Sequence, residues 1–235
     1  MILWNLELLV NRPLDFIMLM AAIGFALIVA ITFHEFSHGL MAYRLGDDTS
    51  RRQGRLSLNP LVHLDPLGTL MLFLVGFGWG KPVPVNPYFF KGVKVRLGMA
   101  LVGLAGPLAN LAVAGVLAAP IKVGALAWHS PLRYPPFAQF DPGWMAADVL
   151  GLVIFYSIIL ALFNLIPIPP LDGFNVALGI LPRGLAYSYS RIERYGPVLL
   201  LIIVGLSYLT RWNLLWAIMK PPMDLLAMLL VGRPF

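Results

Sequence analysis

Between Phe16 and Phe33 the chain carries no charged residue, and every fold open to it must bury or solvate that run in apolar surroundings. A helix needs about 20 apolar residues to cross the hydrocarbon core of a bilayer. The run extends to Tyr43 if a bundle can accommodate His34, Glu35 and His38. Two further uncharged runs, Gly98–Ile121 and Val149–Leu171, are also long enough to span. Composition agrees. The chain is 59% hydrophobic and 12% charged, whereas a soluble domain is about half apolar and about a quarter charged. The class is integral membrane. The absence of cysteine excludes disulfides, thiolate metal sites and cysteine nucleophiles. A net charge of +6 then marks cytoplasmic loops, with no nucleic-acid partner implied.

Pro197–Thr210 is shorter and spans only by continuing through Trp212–Met219, with Arg211 snorkelling to the interface. Leu67–Gly80 is uncharged but too short to cross, with Gly76, Gly78 and Gly80 at its end, and reads as a re-entrant segment. Pro221-Pro222 should block a smooth helix before Leu225–Gly232. The expectation is an all-α polytopic membrane protein of four spans, one re-entrant piece and an ambiguous tail, about four to six membrane segments in all. Neither an internal repeat nor an appended soluble domain is visible, so residues 1–235 read as a single domain. A signal peptide fails because no basic region precedes the first run and no small-residue cleavage site follows it. Lys and Arg concentrate in Arg44–Arg96 and Asp172–Gly196, while Lys122–Asp148 holds only Lys122 and Arg133. The positive-inside rule puts the first two stretches in the cytoplasm and the N-terminus outside.

Within this apolar frame, Glu35 lies inside the first span and Asp172 ends the third. Carboxylates at such depth are expensive and mark function by default. Glu35 belongs to His34-Glu35-Phe36-Ser37-His38. Positions i and i+4 share a helix face, so the two imidazoles can meet one metal ion, and the adjacent carboxylate can act as general base. A catalytic zinc usually keeps three protein ligands. Asp172 is the best third ligand because its span ends on the side of His38; His63 and His129 are rivals. Pro167, Pro169 and Pro170 unwind the end of that span, and non-helical backbone at membrane depth is tolerated against protein or a wet cavity.

His34-Glu35-x-x-His38 in an apolar helix, with Asn164…Pro-Pro-Leu-Asp172-Gly173 far downstream, resembles the site-2 protease family of intramembrane zinc metalloproteases. Gly80-Lys81-Pro82-Val83-Pro84-Val85-Asn86-Pro87 and Ala105-Gly106-Pro107-Leu108-Ala109-Asn110 resemble its small prokaryotic members, which lack PDZ or CBS domains. The resemblance covers about Ile31 to Gly173. It implies a three-helix catalytic core, Zn2+ held by His34, His38 and Asp172, Glu35 as general base, and Asn164 holding the substrate backbone or its reacting carbonyl. It further implies a cell-membrane (inner-membrane) enzyme with its site toward the cytoplasm. The partner is then a single-span membrane protein, such as an anti-sigma factor or a signal-peptide remnant.

A substrate must be presented extended, and an extended chain binds by adding to an exposed edge. Lys81–Phe90, with prolines suited to an edge strand, and Asn164–Leu171 are the two segments able to offer one. Asn164, Asn86, Pro84 and Asn110 are accordingly the candidate substrate-binding residues. For Asn110 an interhelical hydrogen bond is the blander reading, and for Gly103, Gly106 and Gly115 close helix packing is. A transporter is the rival class, but corresponding breaks in two repeated halves are lacking. A catalytically silent relative would be expected to have lost Glu35 or a ligand.

Overall fold

Pro13 opens the longest helix. Its missing N–H falls where the helix leaves donors unsatisfied anyway. In the computed structural model, which describes residues 6–75, 78–132, 142–209 and 214–235, the first helices are α1 (Leu6–Asn11), α2 (Pro13–Arg44) and α3 (Thr49–Arg52). They are followed by α4 (Pro66–Val75), α5 (Val95–Lys122), α6 (Pro142–Asn164) and α7 (Asp172–Ile180). The chain closes with α8 (Arg183–Ser190), α9 (Gly196–Leu209) and α10 (Leu214–Val231). No strand occurs among the described residues; one antiparallel bridge joins Leu64 and Gly80.

Among the described residues three helices, α2, α5 and α6, are long and apolar enough to cross a membrane, and they coincide with the three long uncharged runs. They pack on one another as a bundle, with α7 laid along α5. One core, between α2 and α6, is built from Ala22, Ala26, Leu27, Leu152 and Val153. A second joins Ala114 and Ala118 of α5, Ile154 and Ile158 of α6, and Met219, Met223, Ala227 and Val231 of α10.

That last stripe corrects one expectation. Pro221 and Pro222 lie inside α10, which runs through them. Met219, Met223, Ala227 and Val231 recur every four residues and are all buried. Their burial on α5 and α6 outweighs the helix-breaking tendency of the prolines, as tertiary packing commonly does to local propensity. The expected span over residues 197–219 is divided between α9 and α10; its Arg211 lies outside the described residues, as do Gly76 and Arg133.

The chain comes back beside Leu64 at Gly80. Lys81 N–H donates to the His63 carbonyl at 2.8 Å, beside the Leu64–Gly80 bridge. The hairpin closes because its glycines admit backbone contact: a Cβ on Gly68 would lie 2.0 Å from the Trp79 carbonyl oxygen, and one on Gly78 would lie 2.1 Å from that of Gly68. Beyond it, Lys81–Phe90 pairs with no strand among the described residues, contrary to the edge-strand expectation. Pro82 and Pro84 carry no donor for a ladder, and residues Pro87–Phe89 close into a 3-10 turn capped by the Asn86 side chain.

Candidate metal centre

His34 and His38 stand one turn apart on α2, both buried, their rings 4.5 Å apart and nearly perpendicular. The third member arrives from 138 residues along the chain. The α6 helix stops at Asn164, and the proline-rich segment turns the chain so that Leu171 caps α7 and Asp172 opens it. Gly173 is required at that turn, since a Cβ there would lie 2.2 Å from the Leu165 carbonyl oxygen. α7 then lies tightly on α5. A Cβ on Gly179 would stand 2.3 Å from that of Ala100, and Arg96 donates to the Leu178 and Leu181 carbonyls that end α7. Arg96 thus satisfies the exposed helix end and complements its dipole.

The outcome is a convergence on one oxygen. Asp172 Oδ2 lies 2.9 Å from His34 Nε2 and 3.2 Å from His38 Nε2. One ligand atom from each of the three residues falls within 4.8 Å of the others. Atoms held tetrahedrally at zinc–nitrogen and zinc–oxygen distances stand about 3.3 Å apart, so this separation suits that ion. A carboxylate and two neutral imidazoles are the forms in which these side chains bind a metal.

Both imidazoles are also oriented from behind, by α5. His38 Nδ1 donates to the Val102 carbonyl at 2.7 Å, which directs Nε2 inward. The Asn110 amide lies 3.2 Å from His34 Nδ1 and is fully buried. Among the described residues its Oδ1 has no partner. A metal on Nε2 requires the proton on Nδ1, and the amide turned by half a rotation offers that oxygen to it. Gly106 completes the floor. A Cβ there would come within 2.5 Å of His38 Nε2 and 2.7 Å of His34 Cε1. The donor set, the orphaned amide oxygen and the space kept by Gly106 all fit a metal ion.

Glu35 is half-buried and faces the same side. Its Oε2 accepts the Val83 N–H at 3.2 Å. His34, Glu35, His38 and Asp172 together line a largely apolar cavity of about 940 Å³. Asn164 and Tyr156 also line it, as do Val83 and Val85 of the segment after the hairpin and Leu200 and Trp216 of α9 and α10.

The other sequence candidates go elsewhere. His63 is buried and bonded to the Ser57 carbonyl at 2.7 Å. His129 pairs with Asp148 at 2.8 Å under Trp144. Neither joins the three-residue group. Asn86 caps its 3-10 turn through Oδ1, and neither Asn86 nor Pro84 lines the cavity. Asn164 does line it, with Nδ2 donating to the Leu160 carbonyl at 3.0 Å. Asn110 orients a ligand rather than facing the cavity. Reading the sequence alone missed Val102, whose contribution is a carbonyl, and Arg96, whose partner helix lies more than 80 residues away. For Gly106 close helix packing was the blander reading, and the structure puts it at the floor of the metal site as well.

Comparison with curated proteins gives a consistent set. The chain is 39% identical over 191 residues to "Putative zinc metalloprotease YwhC" of Bacillus subtilis, covering 79% of this chain and 80% of that protein. It is 27% identical over 207 residues to "Putative zinc metalloprotease Rip2" of Mycolicibacterium smegmatis, covering 86% and 73%. The Rip2 of Mycobacterium tuberculosis strain H37Rv is 29% identical over 191 residues, covering 79% and 67%. No protein-family model matches the chain, and no solved structure matches it at a significant level.

Proposed function

Because the chain belongs to the site-2 protease family of zinc metalloproteases, we propose that it hydrolyses peptide bonds of single-span membrane proteins at a site lying within the bilayer. The observation that carries this reading is the meeting of His34, His38 and Asp172 at the wall of a cavity that also exposes Glu35. Zinc held by these three residues would supply Lewis acidity, lowering the pKa of a water towards neutrality and polarising the scissile carbonyl.

The chain's own residues do the rest. Glu35 takes the proton from the attacking water and delivers it to the leaving amine as the C–N bond breaks, with one water consumed per bond. Val102 and Asn110 keep the imidazoles in the tautomer that presents Nε2. The apolar walls contributed by α2, α6, α9 and α10 exclude bulk water and suit an apolar substrate segment. Presentation of that segment falls to the chain between Lys81 and Asn86. Residues preceding proline favour extended backbone, which holds for Lys81, Val83 and Asn86. The Val83 carbonyl and the Val85 N–H have no partner among the described residues, and both residues line the cavity. A substrate strand pairing there would lie across from Asn164.

We read residues 1–235 as one catalytic domain, a three-helix core of α2, α5 and α6 with further membrane segments around it. It sits in the cell membrane with the site toward the cytoplasm, and anti-sigma factors and signal-peptide remnants are substrates of the right form. The test of activity is hydrolysis of a single-span protein by the purified, zinc-loaded chain in lipid, abolished by a chelator and restored by zinc. Intact substrate in every arm would overturn the reading. For orientation, cysteines replacing the exposed Gln53 and Ala127 should react from opposite faces of the membrane, Gln53 from the cytoplasm. Labelling of both from one face would refute it.

A further inference from the structure

Two buried charges outside the metal set converge on one short segment. Asp47 is fully buried and Arg55 is 7% exposed. Among the described residues neither forms an ion pair. An unpaired buried charge is expensive unless its hydrogen bonds are satisfied, so what each bonds to is informative. Arg55 Nη2 donates to the Pro82 carbonyl at 3.2 Å. Asp47 Oδ2 accepts the Asn86 N–H at 2.6 Å, while its other oxygen is held by the Thr49 N–H at 3.0 Å and the Thr49 hydroxyl. These are the two ends of Pro82–Asn86, and the middle of that segment bears the Val83 N–H bonded to Glu35.

Resting on the proteolytic reading above, we propose that Arg55 and Asp47 are positioning residues for Glu35: by clamping Pro82–Asn86 at both ends they hold the Val83 N–H against the carboxylate of the general base. The chemistry of the segment explains why side chains must do this. Pro82 and Pro84 have no N–H, so the segment cannot be fastened by a backbone ladder on both sides. The Pro82 carbonyl needs a donor, and the long guanidinium of Arg55 reaches it from the loop after α3. Glu35 has a flexible side chain and shows a single hydrogen bond among the described residues, so the placement of its carboxylate follows the placement of Val83. A displacement of about 1 Å at a reacting group can lower a rate about a hundredfold.

The experiment uses the zinc-loaded full chain in phospholipid vesicles with a single-span substrate, comparing Arg55→Met, Arg55→Lys and Asp47→Ala. Zinc content, kcat and KM are measured for each. In parallel, a spin label is attached to the cysteine of Lys81→Cys, an exposed position next to the clamp, in a chain with no other cysteine. Arg55→Met should keep its zinc and lose kcat by about 10- to 100-fold, over and above any rise in KM from the loosened substrate-binding edge, while the label at position 81 gains mobility. Arg55→Lys, which returns a donor, should recover most of kcat and the immobilised label. Asp47→Ala should behave as Arg55→Met does, and it decides the question if Arg55→Met does not fold. Unchanged kcat in both charge-removing variants overturns the proposal. So does a rise in KM with kcat unchanged, which would confine the segment to binding substrate with no part in placing Glu35, or a loss of kcat that follows zinc loss and is not rescued by lysine. If the wild-type chain cleaves nothing, the proteolytic reading fails separately, and a label equally immobile in Arg55→Met would then dispose of the clamp itself.

Discussion

The floor and the roof of the cavity are built by different means. The floor is helix against helix: His34 and His38 on α2, backed by Val102, Gly106 and Asn110 of α5, with Asp172 delivered by α7 lying along α5. Its tolerances are set by close packing, down to the missing Cβ of Gly106. The roof is mostly chain without regular structure, Gly78–Asn86 on one side and, on the other, Leu165–Leu171 following Asn164 at the end of α6. It is fixed by prolines and by a few hydrogen bonds from distant side chains. The difference separates two jobs. A metal must be held in one geometry in every state, and packed helices do that. A peptide must enter, unwind and leave, and loops with unpaired backbone groups can accept it.

If the floor is a packing device, it should break without any ligand being touched. Gly106→Val places carbon where the imidazoles stand, with even its Cβ 2.5 Å from His38 Nε2. Zinc content should fall below about a tenth of wild type, as in His34→Ala or Asp172→Ala, and turnover with it. Metal analysis of the purified variants checks this, and full zinc occupancy in Gly106→Val would mean that the floor is looser than its packing indicates. Glu35→Gln makes the opposite cut. It should lower kcat by about 10²–10⁴-fold with zinc unchanged, because Glu35 faces the cavity without ligating. Substantial residual turnover would remove Glu35 from its role. Asn110→Ala is gentler, and should weaken zinc affinity about 10- to 100-fold while leaving KM near normal at saturating zinc. A raised KM at full occupancy would return Asn110 to the substrate.

The contrast also explains what could be read from the sequence. The three long apolar helices were legible because uncharged runs of that length leave few alternatives, and the histidine pair was legible because a helix fixes the i, i+4 geometry. Asp172 could be singled out because a carboxylate at the end of an apolar run is anomalous. What failed depends on packing at long range. The continuity of α10 through Pro221 and Pro222 is decided by Met219, Met223 and Ala227 seating on α5 and α6, and no local pattern carries that. For Asn110 the blander reading, an interhelical hydrogen bond, is the one the structure shows, though its partner His34 could not be named from sequence. Arg55 and Asp47 resemble any loop charges until the fold buries them, and the bonds they make go to backbone atoms, which leave no trace in residue identity.

The smallest expected effect lies on the roof, at Asn164. Its Nδ2 already donates to the Leu160 carbonyl at 3.0 Å, so a substrate carbonyl would share that amide rather than find it free. A single neutral hydrogen bond contributes about 0.5–1.5 kcal/mol, which corresponds to a factor of about 2–12. Asn164→Ala should therefore lower kcat/KM by no more than about tenfold, with zinc content and the stability of α6 little changed. The substrate supplies the matching half of the measurement. A helical segment has its carbonyls bonded to its own N–H groups, and pairing with the Val83 carbonyl and Val85 N–H requires those bonds to open first. Leucines placed around the scissile bond should slow cleavage, and glycine or proline nearby should speed it, since these residues differ in helix propensity by about 1 kcal/mol for glycine and about 3 for proline. The two perturbations act on one step, so in combination they should be less than additive if Asn164 grips only the opened chain. Strict additivity would place Asn164 outside the binding of the extended substrate, and the roof would then be a passive cover over the metal-holding floor.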